Sequence, residues 1–295
     1  MKLRSLLFVP GDSEKKYTKA VSSGADGLIL DLEDSVAPNK KPEARQIVGN
    51  IIADGKPRNW NLWVRINALE TGLALHDLAA IVRPGLEGIV VPKANGDFDI
   101  VRIGHYLDAL ETQAGMPLET VKILVVSTET PAAMFNLGSY VPPHPRLVGL
   151  TWGAEDLAAA VGATANKEAD GEWSFPYRLA RSMCIFAAAA AEVSPIDTLY
   201  ADFRDLEGLA ASCRLARRDG FVGRIAIHPD QVATINECFT PAPEDVAQAR
   251  AIIDAFAACP DTGTVGINGK MYDIPHLKQA HRILAAVETA SSPGA

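Results

Sequence analysis

The sequence predicts an α/β protein, a (β/α)8 TIM barrel with a C-terminal helical extension. Three observations lead there. Eight short runs rich in Val, Ile and Leu alternate with longer segments of helical spacing. Most runs are apolar at consecutive positions, the pattern of strands covered on both faces in a parallel sheet. No GxGxxG follows the first run and no GxxxxGK[ST] occurs, which disfavours the doubly wound open sheet.

The strand runs fall at 5–10, 27–33, 62–67, 88–93, 122–129, 147–153, 196–201 and 224–229. Helical stretches between them include 13–23, 42–53, 176–192 and 206–219. Ser13 is placed to cap the first, Pro42 suits a first turn, and Gly220 follows an end. After the eighth strand the chain continues too far for one closing helix. It reads as a helix over 243–258, a Gly-rich loop, and a helix over 275–289. The expected organisation is a barrel over 1–235 and a helical extension over 236–295.

Composition bounds the function. At 48% hydrophobic and 22% charged residues, the chain of 295 is an ordinary globular protein. A net charge of −8 argues against nucleic acid or an anionic membrane as partner. No run reaches the roughly 18 apolar residues of a membrane helix. The apolar start ends at Pro10-Gly11, short of a signal-peptide core. Four scattered cysteines without a CxxC pair fit a reducing, cytoplasmic setting.

In such a barrel the chemistry sits at the C-terminal ends of the strands. Strand two runs into Asp31, Glu33 and Asp34. Strand three carries Arg65 and Asn67, strand four ends at Lys93, strand five at Glu129-Thr130, strand six at Trp152 to Asp156, and strand eight at His228. Converging carboxylates take up protons, pair with cations or hold a metal. Oxygen ligands without a His or Cys cluster favour Mg2+, with Mn2+ as the alternative. Glu129 and Asp156 form the best pair. Each acid alone is as well explained by a helix cap or an ion pair. Arg65, inside an apolar strand, needs an anionic partner: a substrate, or Asp31 or Glu33. Lys93 suits an ion pair better than a Schiff base. His228 is more readily a hydrogen-bonded strand-end residue than a general base. Arg4, Lys15, Lys16, Lys40 and Lys41 could form a local basic rim.

The segments RSLLFVPG (4–11), DLEDSV (31–36), VRIN (64–67), VPK (91–93), Glu129-Thr130, WGAEDL (152–157), IHPDQ at His228 and GKMYDIP (269–275) stand in one order. That ordered set resembles the citrate lyase beta-subunit-like branch of the HpcH/HpaI aldolase superfamily, near the malyl-CoA and citramalyl-CoA lyases. The resemblance implies a Mg2+-dependent carbon–carbon lyase that splits a carboxylated 3-hydroxyacyl-CoA into an acyl-CoA and a 2-keto acid through an enolate. It implies Glu129 and Asp156 as metal ligands, with Glu129 at the substrate. Arg65 becomes a catalytic, substrate-binding residue and Asp273 a catalytic acid–base group supplied to a neighbouring subunit. Arg4, Lys15 and Lys16 become the cations for the CoA phosphates, and the assembly a homotrimer or dimer of trimers. Tyr272 departs from the aliphatic residue common in relatives. From the residues alone, Asp273 reads better as a helix cap before Pro275, and only the resemblance reverses that choice. The competing functions are a thioesterase or malate-synthase-like enzyme, a citrate lyase complex subunit acting on an acyl-carrier-protein thioester, and a metal-independent Schiff-base aldolase using Lys93.

Overall fold

The computed structural model describes residues 1–291, with side chains through 287. Eight parallel strands close into a barrel: β1 (Ser5–Pro10), β2 (Gly27–Asp31), β3 (Asn61–Arg65), β4 (Gly88–Val91), β5 (Lys122–Val126), β6 (Leu147–Thr151), β7 (Ser194–Asp197) and β8 (Gly223–Ala226). Each strand pairs with the next, and β8 returns to β1 with Leu6 opposite Ile225. Several strands end two or three residues before the apolar runs do. There the backbone leaves the ladder for side-chain partners; the Glu33 N–H, for example, donates to Asp31 Oδ1 at 2.9 Å. β7 starts two residues earlier than its run, at Ser194.

Helices α1 (Glu14–Val21), α2 (Lys41–Ala53), α3 (Ala74–Ile81), α4 (Asp97–Gln113), α5 (Pro131–Asn136), α6 (Glu155–Val161), α7 (Phe175–Ala190), α8 (Leu206–Asp219) and α9 (Gln231–Phe239) surround the strands. The Ser13 hydroxyl accepts from the Lys16 N–H and caps α1. Pro42 sits in the first turn of α2, and Gly220 takes the left-handed conformation that ends α8.

The barrel interior is filled by Leu6, Ile29, Trp63, Val90, Leu124, Ile196 and Ile225. Trp63 fits because residue 88 is glycine; a Cβ there would overlap its ring. The larger core lies between strands and helices.

Beyond the barrel come α10 (Pro243–Ala258), β9 (Thr264–Ile267), β10 (Lys270–Asp273) and α11 (Ile274–Ser291). The Gly-rich segment is therefore an antiparallel hairpin and not the expected loop. Asn268 and Gly269 both have positive φ, 49° and 77°, the backbone that a two-residue hairpin turn requires. This unit has its own small core of Ala249, Ile252, Phe256, Val265, Tyr272 and Ala280. Residue 235 falls inside α9, whose Val232, Ile235 and Phe239 belong to the barrel's core. We propose that the division between barrel and extension lies after 239. No helix among the described residues is long and apolar enough to cross a membrane.

Candidate active site

The acids and bases predicted at the strand ends meet in one cluster. Arg65, at the end of β3, grips Asp31 at the end of β2 with two parallel bonds of 2.7 Å, from Nε and Nη2. Its Nη1 lies 3.0 Å from Glu33 Oε2, and its plane rests 4.5 Å from the centre of the Phe8 ring. Burial raises the Asp31 carboxyl, but the bonds and charge of Arg65 prevail and hold it below the ordinary value. Arg65 therefore makes the ion pair that serves as its structural explanation. It also lines the cavity at the barrel mouth, with N–H groups of Nη1 and Nη2 beyond those used on Asp31.

Lys93 joins the other acids. Its Nζ lies 2.5 Å from Glu33, 3.1 Å from Asp34 and 3.2 Å from Asp156. Burial lowers the ammonium, yet the bond and charge of Glu33, with Asp156 and Asp34, raise it on balance. A lysine held so firmly protonated is a poor amine nucleophile, and the ion-pair reading of Lys93 stands. The residue also has φ of +52°, and its own N–H donates to Glu129 Oε2 at 2.7 Å. One residue thus ties the strand-four loop to four carboxylates.

Glu129 is buried after β5. It is steadied by its neighbours: Thr128 Oγ1 accepts from the Gly153 N–H, and Thr130 caps α5. Gly153 packs flat on it, since a Cβ there would stand 2.7 Å from Glu129 Cγ. Asp156 follows in the first turn of α6 and does not cap that helix by side chain. Burial and the Asp156 charge push the Glu129 carboxyl up to about 8. Glu33 is raised too, by burial against the opposing pull of Arg65 and Lys93.

Such a raised acid marks charge that the protein leaves uncompensated. A divalent cation between Glu129 and Asp156 would neutralise it, so the donor set fits Mg2+. Among the described residues no three His, Cys, Asp or Glu side chains form a complete metal cage. Mg2+ is commonly held by one or two carboxylates, with water and substrate oxygens completing the shell.

The cavity has a volume of about 90 Å³ and opens to solvent. Trp152 and Trp173 wall one side, packed edge to face with centroids 5.3 Å apart. Trp173 comes from the segment between α6 and α7, where Lys167 lies 4.9 Å over its ring and bridges it by backbone. Trp152 stands among the strand-six end residues, whereas Trp173 lies away from every strand end and carries no such signal.

Other predicted residues lie elsewhere. Arg4 precedes β1, at the opposite end of the barrel, where it pairs with Asp26 at 2.8 Å and donates to Thr240. It cannot belong to a rim at the mouth, because a residue before a strand lies at that strand's N-terminal end. Lys41 points inward and donates to the carbonyls of Leu32 and Glu33 and to Asn67 Oδ1, holding the strand-two loop. Lys40 pairs on the surface with Glu43. Lys15 and Lys16 remain exposed in the first turn of α1, on the mouth side. His228 stacks on Phe203, with centroids 4.7 Å apart, and is not in the cavity wall. Asp273 ends β10 and is likewise outside the wall of its own barrel's cavity. It lies 2.5 Å from His276 Nδ1, a contact that lowers its carboxyl.

A closed parallel barrel with a carboxylate-rich cavity at its strand C-terminal ends defines the class: a TIM-barrel enzyme with its site in the usual place. Comparison with known sequences makes it particular. The chain belongs to the HpcH/HpaI aldolase/citrate lyase family, whose profile matches residues 4–229. It is 34% identical to the mitochondrial citramalyl-CoA lyase of Rattus norvegicus, over 95% of this chain and 85% of that protein. It is 33% identical to the L-malyl-CoA/beta-methylmalyl-CoA lyase of Rhodobacter capsulatus, over 97% and 95%. Citrate lyase subunit beta of Haemophilus influenzae is 30% identical, over 96% and 97%. Among solved structures, CitE from Mycobacterium tuberculosis in complex with magnesium, acetoacetate and coenzyme A aligns with a TM-score of 0.75 at 30% identity, covering 97% of this chain and 98% of that one. By this kinship the chain is an enzyme of the lyase type.

Proposed function

We propose that this protein is a Mg2+-dependent carbon–carbon lyase that cleaves a carboxylated 3-hydroxyacyl-CoA into an acyl-CoA and a 2-keto acid. The observation that carries this reading is the under-neutralised Glu129–Asp156 pair beside Arg65 in one cavity. The relatives named as CoA-thioester lyases, and the magnesium in the CitE complex, support it.

Glu129 and Asp156 would hold the metal, which supplies Lewis-acid polarisation of the oxygen that becomes the keto carbonyl. Arg65 binds and orients negative oxygen of the substrate through its free N–H groups. Asp31 and Glu33 fix the position of the guanidinium, and Lys93 in turn holds Glu33. Trp152 and Trp173 exclude water from one flank. When the bond between C2 and C3 of the acyl group breaks, its electron pair stays on the acyl-CoA fragment as an enolate. That carbon gains one proton as the hydroxyl gives one up, and we assign the acid–base group that carries the proton to Asp273 of a neighbouring subunit, because its own cavity does not contain it. Lys15 and Lys16, exposed beside the mouth, are the candidate contacts for the CoA phosphates.

Product analysis tests the reaction. Malyl- or citramalyl-CoA with Mg2+ should yield a free keto acid and an acyl-CoA in equal amounts; free CoA as the first product would mean hydrolysis and sink the lyase reading. The shared site has a separate check. Asp273→Ala and Glu129→Ala subunits, each inactive, should recover activity when mixed, since a mixed oligomer holds some intact pairings. No recovery after verified subunit exchange would return Asp273 to its own barrel or to no role.

A further inference from the structure

The cavity wall is chemically two-sided, and this bears on which thioester is cleaved; the argument rests on the lyase reading above. The charged residues of the wall are Arg65, Glu129, Glu155 and Asp156, from the β3, β5 and β6 sectors. The β7 and β8 sector presents Thr198, Leu199 and Ile225, with no charged side chain, whereas Phe8 of β1 lies beneath the Arg65 guanidinium. Val90 and Val126 continue the apolar lining from below. Among the described residues Arg65 is the one cation in the wall, and Asp31 and Glu33 already draw on it. Thr151, also in the wall, is buried with its hydroxyl lacking any hydrogen-bond partner. A buried hydroxyl without a partner is a group that a ligand oxygen can satisfy.

The candidate substrates differ in one substituent on the carbon that becomes the keto carbon. In malyl-CoA it is hydrogen, in citramalyl-CoA methyl, and in citryl-CoA a carboxymethyl group. If the substrate's own carboxylate lies at Arg65 and its oxygen toward Glu129 and Asp156, that substituent can face the β7–β8 sector. A methyl group there gains apolar contact with Leu199 and Ile225. A second carboxylate against those two side chains would lose its water and meet no cation from that sector.

We propose that this uncharged wall confines the leaving 2-keto acid to one carrying hydrogen or a small alkyl group, of the glyoxylate or pyruvate kind, and rejects a dicarboxylic one. Thr151 then acts as a substrate-positioning hydroxyl beside the same carbon.

Two readouts test the proposal. The first is binding of pyruvate and of freshly dissolved oxaloacetate to the Mg2+-loaded protein, followed by the fluorescence of Trp152 and Trp173. Pyruvate should bind at least about 100-fold more tightly, the scale set by a desolvated charge without a partner. The second is the ratio of kcat/KM for citramalyl-CoA and citryl-CoA, which should favour citramalyl-CoA by a similar factor. Leu199→Arg, which adds a cation to the wall, should narrow both ratios at least tenfold. Oxaloacetate binding as tightly as pyruvate, or citryl-CoA cleaved within tenfold of citramalyl-CoA, would overturn the proposal. Selective pyruvate binding without cleavage of any thioester would uphold the wall and refute the lyase reading instead. Failure of pyruvate to bind would count against the wall itself.

Discussion

Two arginines of this barrel, Arg146 fully buried and Arg65 partly so, each hold two carboxylates, and their surroundings could hardly differ more. Arg146, beside the start of β6, donates to both oxygens of Glu111, to the Val121 carbonyl and to Asp108. Glu111 completes its shell with the N–H groups of Glu119 and Val121. Each strong group there has its partner, and no cavity opens onto it among those at the barrel mouth. Arg65 sits in the opposite condition. It and Lys93 are the two cations among Asp31, Glu33, Asp34, Glu129 and Asp156, and the surplus charge faces open space. A saturated network fixes the position of α4 against the strands. An unsaturated one waits for a cation and a substrate.

The largest expected effect strikes the surplus directly. Glu129→Ala or Asp156→Ala should cut Mg2+-dependent turnover by about 10³-fold or more, the scale of losing a metal's several kcal/mol of charge stabilisation. Circular dichroism of both variants should remain that of a folded barrel. Full activity in either, or native activity indifferent to EDTA, would remove the metal from the account.

Exchanging the arginines sharpens the contrast. Arg65→Lys should lower kcat by about 10²-fold, since an ammonium cannot reproduce the planar fork gripping Asp31 while offering further N–H groups. Arg146→Ala should instead cost about 3–5 kcal/mol of stability by leaving Glu111 buried and unpaired. Turnover per folded molecule should hardly change. If Arg65→Lys behaved as Arg146→Ala does, Arg65 would be structural only.

The smallest effect is in the pH dependence of stability without metal. The Glu129 carboxyl is raised to about 8 in the folded chain from 4.5. Between those values the native state keeps a proton that the unfolded chain releases. Stability therefore falls as pH rises through this window. The melting temperature in EDTA should decline from pH 5 to pH 8, and Glu129→Gln should flatten that limb. An unchanged slope in the variant would show that Glu129 does not carry the surplus.

The same contrast explains what the sequence made legible. Strand ends are readable because apolar runs stop at polar residues, and in a barrel those ends share one rim; Asp31, Arg65, Lys93, Glu129 and Asp156 were found that way. Arg4 misled because nearness in sequence to β1 does not say which end of the strand a residue occupies. The hairpin at 264–273 carried a signal of its own, Asn268-Gly269, yet the surrounding glycines read as loop. Trp173 lies far from any strand end, in a segment held by the backbone bridge to Lys167 and by packing on Trp152. Asp273 shows a further limit: the role proposed for it depends on a second copy of the chain, and contact between subunits leaves little trace in local periodicity.

Metal binding itself tests the central claim most directly, without reliance on turnover. Mn2+ titrated into the EDTA-treated protein, followed by electron paramagnetic resonance, should show one bound ion per chain that Mg2+ displaces. Glu129→Gln and Asp156→Asn should each abolish or greatly weaken that site, while Arg146→Ala leaves it intact in the folded fraction. A native-like Mn2+ site surviving in both acid variants would contradict the claim that this pair of carboxylates holds the metal.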